Sequence, residues 1–283
     1  MKYISSLIVI LFLLLSNSVI HCKENRILYQ IFLYGNDSVK LYAQLTKYIN
    51  DKLKTSYIPV YEEYALKSAQ MLYSKEADFA LLCSGPYALY KENYKFVPVV
   101  AIKPSFNRKY KSYIFTKNKS PYKSLLDLKG KSFTMAYLES FTGRLLPLYM
   151  IKEKNHDPLK FFSNLVYAKN HHNSIYNVLN DKAEAGAVLS LVYEYLASKA
   201  PEIKKQLKII EESRSFATPL FVANRYVPEK EKEAFKKVLL NMHRDPVGIE
   251  LLKKLQIDKF YEVSDKDYED VVKYIESIKD LLP

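Results

Sequence analysis

Cysteine is nearly missing from this sequence and glycine is scarce. Two cysteines, Cys22 and Cys83, stand among 283 residues. That excludes a disulfide-stapled scaffold, and no cysteine–histidine spacing of the zinc type occurs, so no metal site is expected. The six glycines form neither a GxGxxG dinucleotide loop nor a GxxxxGKS/T phosphate loop, and no GxSxG elbow is present. Glu62, Glu63 and Glu139 are the carboxylates nearest the candidate elements, and nothing in their spacing fixes an acid–base pair. These absences point to a binding protein without catalysis or cofactor.

What is present begins with MKYISSLIVILFLLLSNSVIHC. Lys2 followed by the apolar run Ile8 to Leu15 is too short for a comfortable bilayer span and reads as an export signal over residues 1–21. No Ala-x-Ala site precedes Cys22, so cleavage before Cys22 with acylation of that cysteine is expected, although His21 is an unusual predecessor. Soluble export and an uncleaved anchor are the alternatives. Cys83 lies in the apolar run FALLCSG and reads as a small buried hydrophobe, with a Cys22–Cys83 disulfide as the other reading.

The mature chain of about 260 residues suffices for one large or two medium domains. A hydrophobic fraction of 48% supports a real core, and the net charge of +12 comes from 43 Lys plus Arg against 31 Asp plus Glu. An exported basic chain without a recognition motif is a poor candidate for nucleic acid; the charge suits anionic small molecules or lipid headgroups equally.

Strand-like and helical runs alternate. RILYQIFLYG is followed by a helix with Val39, Tyr42, Leu45, Ile49 and Leu53 on one face; strands at TSYIPVY, DFALLCSG and FVPVVAI follow, each with a helix between. The pattern restarts at KSYIFTKNK. Two α/β lobes, each a mostly parallel sheet with flanking helices, are expected, joined by crossovers near residues 102–113 and 213–221. Residues 22–105 and 216–283 would form the first lobe and 106–215 the second, with a ligand cleft between them.

The stretch YLESFTGRLLP, Tyr137 to Pro147, places Ser140, Phe141, Thr142 and Gly143 where a strand ending at Glu139 meets a helix start. Free backbone N–H groups there, two hydroxyls and a glycine suit an oxyanion; plain N-capping is the simpler reading. Arg144 would add a contact or face water. His171 and His172 stand at an equivalent strand-to-helix junction, as does Tyr87 in GPYALY. Tyr61, Tyr64 and the 34–36 turn complete the rim.

These segments together resemble the phosphate/phosphonate-binding proteins of ABC transporters. YLESFTGRLLP is similar to that family's Ser-Thr-Ser-Gly helix start. NHHNSIYNVLNDKAEAGAV resembles its Ser-His-Asp stretch with the following Ala-Gly-Ala-Val. ADFALLCSGPYALY, KSYIFTKNKSPYKSLLDLKGKSFTMA and ESRSFATPLFVANRYVP match its remaining segments in order. The resemblance implies the two-lobed type II periplasmic-binding-protein fold and an exported monomer that captures a phosphorus oxyanion or organophosphonate and delivers it to an ABC permease. A surface or sensory lipoprotein without a transport role is the alternative. By the same resemblance Ser140, Phe141 (through its backbone), Thr142 and Gly143 hold the oxyanion, and His171, placed by Glu184 thirteen residues on, adds a charge-assisted donor. Tyr87 shapes the cleft, with Tyr61 or Tyr64 on the opposite rim. Phe141 replaces a hydroxyl residue of the motif. Leu189, Ser190 and His172 stand where an acid would hold an aminoalkyl group.

Overall fold

The structure is a computed structural model and describes residues 24–31, 33, 37–105 and 110–282. The expected signal, Cys22 and the 34–36 turn lie outside the described residues.

Strand β1 (Arg26–Gln30) is shorter than the apolar run that suggested it; its side chains are buried from Ile27 onward. Helix α1 (Ser38–Leu53) lays Leu41, Tyr42, Leu45 and Ile49 on the sheet, the spacing of a one-sided apolar stripe. Tyr42 stacks on Tyr29 of β1 at 4.5 Å. Next come β2 (Ile58–Glu62), α2 (Ala65–Tyr73), β3 (Phe79–Leu82), α3 (Ser84–Tyr94) and β4 (Val97–Pro104). All four residues of β3 are buried, the signature of a strand covered on both faces.

The second set holds β5 (Ser112–Lys117), β6 (Ser132–Met135), a π-turn (Phe141–Leu145) running into α4 (Leu146–Glu153), and β7 (Asn164–Tyr167). It continues with α5 (His171–Leu179), β8 (Ala185–Leu189), α6 (Ser190–Lys199), α7 (Glu202–Gln206) and β9 (Leu207–Glu212). The chain then returns through β10 (Leu220–Ala223), α8 (Glu229–Asn241), α9 (Pro246–Leu255), β11 (Ile257–Glu262) and α10 (Glu269–Ser277). Strand β6 ends at Met135, four residues before the expected Glu139.

Two sheets result, ordered β11-β4-β10-β3-β1-β2 and β7-β6-β8-β5-β9. Both are mixed, where mostly parallel sheets were expected. β1 pairs in parallel with β2 and β3, and β6 with β7 and β8. β10 runs antiparallel to β3 and β4, β11 to β4, and β5 to β8 and β9. The antiparallel pairings involve the strands flanking the crossovers and the returning C-terminal segment. The two crossovers run side by side, with Ser213 donating its N–H to the Ser112 carbonyl at 3.0 Å and Phe216 donating to that of Tyr110 at 3.0 Å. No helix among the described residues is long and apolar enough to cross a membrane.

Candidate ligand-binding site

The carboxyl ends of the parallel strands lead into helix starts, and the two sheets bring several of these starts together. β6 leads to the π-turn, β7 to α5 and β8 to α6 in one lobe; β3 leads to α3 in the other. Backbone N–H groups left unsatisfied at such starts favour negative charge.

Ser140 caps the π-turn, its Oγ accepting the Gly143 N–H at 3.0 Å. The same oxygen lies 3.3 Å from His171 Nε2. His171 Nδ1 accepts the Leu189 N–H at 3.2 Å, so the ring proton sits on Nε2 and is donated to Ser140. His171 is fully buried, and burial, helped by His172, pushes its pKa down to about 3. It is therefore neutral near pH 7, and both ring nitrogens are engaged by protein groups. In this arrangement it orients Ser140, whose own hydrogen is left for the Tyr137 oxygen or a ligand; the charge-assisted donor expected of His171 does not fit a neutral ring.

Gly143 is confined from three sides. A β-carbon there would come within 2.7 Å of Ala136 Cβ, 2.8 Å of His171 Cε1 and 2.9 Å of Ser140 Oγ. Thr142 gives its carbonyl to Ser112 Oγ at 2.6 Å, while its own buried hydroxyl has no partner. Phe141 is fully buried and meets Phe216 of the second crossover edge to face at 4.9 Å. Its side chain fills the seam between lobes. Arg144 is also buried, donating to the carbonyls of Leu138 and Leu281 at 3.0 Å each. It has no carboxylate partner among the described residues, so its charge adds positive potential behind the turn.

Around this turn stand Gln30 and Ser84 from the other lobe, and Tyr137 from the start of the YLESFTGRLLP stretch itself. Gln30, at the end of β1, accepts the Cys83 N–H at 3.2 Å through Oε1, and its buried Nε2 is unpartnered. Ser84 Oγ, at the start of α3, is buried in reach of the Tyr110 hydroxyl. Tyr137 lies with its buried hydroxyl in reach of Cys83 and Ser140, and burial raises that phenol's pKa well above its ordinary value. The one signal for Gln30 was a lone amide in an otherwise apolar strand. Cys83 is buried and unpaired, 2.8 Å from the Tyr110 hydroxyl, and burial pushes its thiol pKa up.

The tyrosines expected on the rim separate. Tyr87 is buried and donates to Asp265, away from the Ser140 turn, and crosses Tyr268 at 4.8 Å. Tyr61 donates to the Val39 carbonyl at 3.1 Å. Tyr64 is 65% exposed at the start of α2.

Two hollows open between the lobes, and Glu63 lines both. One, of about 560 Å³, lies between Asp37 and Val39 on one side and His172 and Tyr176 on the other. His172 Nε2 is buried there without a partner, and burial lowers its pKa to about 4 against the opposing effect of Asp37. The other, of about 430 Å³, lies between Tyr64 and the Ala136–Glu139 stretch, with Tyr167 and Lys169 beyond. No group of three or more His, Cys, Asp or Glu suited to a metal ion occurs among the described residues.

A family model described as "ABC transporter, phosphonate, periplasmic substrate-binding protein" matches residues 34–268. The chain belongs to this family. Proteins of the phosphonate-binding family are exported to the periplasm and present substrate to an ABC permease, and this chain has the same substrate-binding role. The fold agrees. PhnD1 from Prochlorococcus marinus in complex with methylphosphonate is 16% identical, superposes with a TM-score of 0.82, and covers 91% of this chain and 98% of its own. A binding-protein component of an ABC phosphonate transporter from Pseudomonas aeruginosa is 15% identical with a TM-score of 0.77, over 92% and 97% of the two chains. The aliphatic sulphonate-binding protein of Escherichia coli is 14% identical with a TM-score of 0.63, over 91% and 94%. No curated protein matches the sequence. The fold is thus the two-lobed type II periplasmic-binding arrangement read from the sequence, and the family match favours transport over a lipoprotein that has lost it.

Proposed function

We propose that this protein captures a phosphorus oxyanion, either phosphate, phosphite or a phosphonate, between its two lobes. Its mechanism is binding and lobe closure, with no bond made or broken. Residues 22–105 with 216–283 act as one body and 106–215 as the other. Acylation of Cys22 holds the monomer to the membrane beside its permease.

The observation that carries the reading is a pair of buried side-chain groups without partners, one from each lobe. Gln30 Nε2 comes from one lobe and Thr142 Oγ1 from the other. Leaving such a group unpaired costs about 1–3 kcal/mol, a burden that an oxyanion accepting from them would relieve. Ser140 offers a further hydrogen, fixed in direction because its lone pairs already face Gly143 and His171. The Phe141 and Thr142 amides at the turn add backbone donors, and Gly143 allows the close packing that holds them.

Titration calorimetry with phosphate, phosphite, methylphosphonate, 2-aminoethylphosphonate and sulfate tests this. Thr142→Val removes a hydroxyl that bonds to nothing in the protein, so the unliganded variant should melt no lower than the parent while ligand affinity falls about tenfold. Silence across the whole panel would sink the oxyanion assignment. Unchanged affinity in Thr142→Val would move the anion away from this turn.

A further inference from the structure

The side chains around the second hollow bear on what the phosphorus group carries. Tyr64 is 65% exposed, Leu138 42% and Tyr167 46%, and all three line this one hollow together with Ala136 and Tyr137. Large apolar side chains left in water in one concave place mark a binding surface, whereas the same residues scattered singly would mean nothing. The lining of the hollow runs up to Glu139, the residue before Ser140. Tyr137 lines the hollow while its hydroxyl lies buried beside Ser140, and only Leu138 and Glu139 separate it from Ser140 in the chain.

The charges at the rim narrow the occupant. Glu63 from one lobe and Glu139 from the other stand against the single cation Lys169. Two carboxylates facing the entry disfavour a second anionic group on the ligand, whereas an uncharged tail meets no opposition. The 430 Å³ of space far exceeds a methyl group and falls in the range of pockets that enclose ring-sized substituents.

We propose, resting on the oxyanion reading above, that the ligand is an organophosphonate or phosphate monoester with an apolar aryl or short alkyl substituent housed under Tyr64, Leu138 and Tyr167. The acidic head is held at the Ser140–Gly143 turn, and the tail replaces water over the exposed rings when the lobes close.

Calorimetric titration of the purified protein with phosphate, methylphosphonate, butylphosphonate, phenylphosphonate and 3-phosphonopropionate decides the matter. Each buried methylene is worth roughly fourfold in affinity, so butyl- and phenylphosphonate should bind roughly tenfold to a hundredfold tighter than methylphosphonate. The carboxylate-tailed 3-phosphonopropionate should bind more weakly than butylphosphonate. Leu138→Ser, at an exposed position where folding is not at risk, should pull the phenyl-to-methyl ratio towards one. If phosphate or methylphosphonate binds as tightly as the phenyl compound, the apolar tail is overturned while the oxyanion site stands. If none of the five binds, both readings fall together.

Discussion

At His171, burial and hydrogen bonding act in the same direction, and their effect is open to titration. Its folded pKa lies near 3, whereas an unfolded histidine titrates near 6.5. The unfolded chain therefore binds more protons between those values. The stability contributed by a neutral His171 is fully present above about pH 6.5 and is lost as pH falls towards 3. In His171→Gln the amide keeps a donor and an acceptor but takes no proton. Its melting temperature, measured from pH 7 to pH 4, should therefore fall less steeply than that of the parent. Parallel curves would show that this imidazole does not govern acid sensitivity. The histidine was visible in the sequence as a residue at a helix start. Its neutrality was not, because burial depends on the 188–190 segment folding over it from a distant strand end. Gln30 was missed for a related reason: a polar residue in an apolar strand becomes meaningful only when its neighbours across the lobe boundary are known.

Helix ends are the places where the shortage of glycine is felt. Helices α1, α3 and α9 finish at Lys54, Lys95 and Gln256, all in the left-handed conformation with φ of 58°, 54° and 53°. Such a residue is strained by roughly 1 kcal/mol relative to glycine. Lys95→Gly should accordingly stabilise the protein by roughly that amount, read as a higher urea midpoint with an unchanged slope. Gly85 at the start of α3 presents the opposite situation. A β-carbon there would come within 2.7 Å of Phe141 Cβ, 3.0 Å of Phe141 N and 3.1 Å of the Glu139 carbonyl, all in the facing lobe. Gly85→Val should hold the seam ajar and weaken ligand binding at least tenfold while barely altering either lobe's own packing. An unchanged affinity would mean that the seam yields. The alternation of strands and helices was legible because periodicity is a local property. Strand direction was not: an apolar four-residue strand reads the same whether its neighbour runs parallel or antiparallel, so the mixed sheets emerged only from the connections.

Across the whole molecule, the lobes are tied by further side-chain contacts. Tyr195 of α6 donates to Asp37 at 2.5 Å, and Gln256 after α9 donates to Ser198 at 3.0 Å. Tyr90 reaches Glu139 at 3.5 Å on the other side of the seam. The Tyr195–Asp37 and Gln256–Ser198 ties favour the closed arrangement without a part in the anion turn, and so act on the rate of ligand release. Tyr195→Phe should raise the dissociation rate several-fold in stopped-flow displacement and leave the association rate nearly unchanged. A change confined to association would place Tyr195 on the entry path instead. The presence of two lobes was legible from the restart of the strand–helix pattern near residue 111. The ties between them were not, since each joins residues at least 49 positions apart.

The end of the chain has a practical consequence. Lys152 of α4 donates to the Ser277 carbonyl at 2.9 Å and pairs with Asp280 at 3.0 Å, and Arg144 grips the Leu281 carbonyl. The last turn, though it follows strands of the first lobe, is thus moored to the residue just beyond Gly143 in the second. A fluorophore attached at the exposed position Lys279 would therefore sit on the moving boundary itself, where its signal would follow occupancy. A purification tag meant to be silent belongs elsewhere.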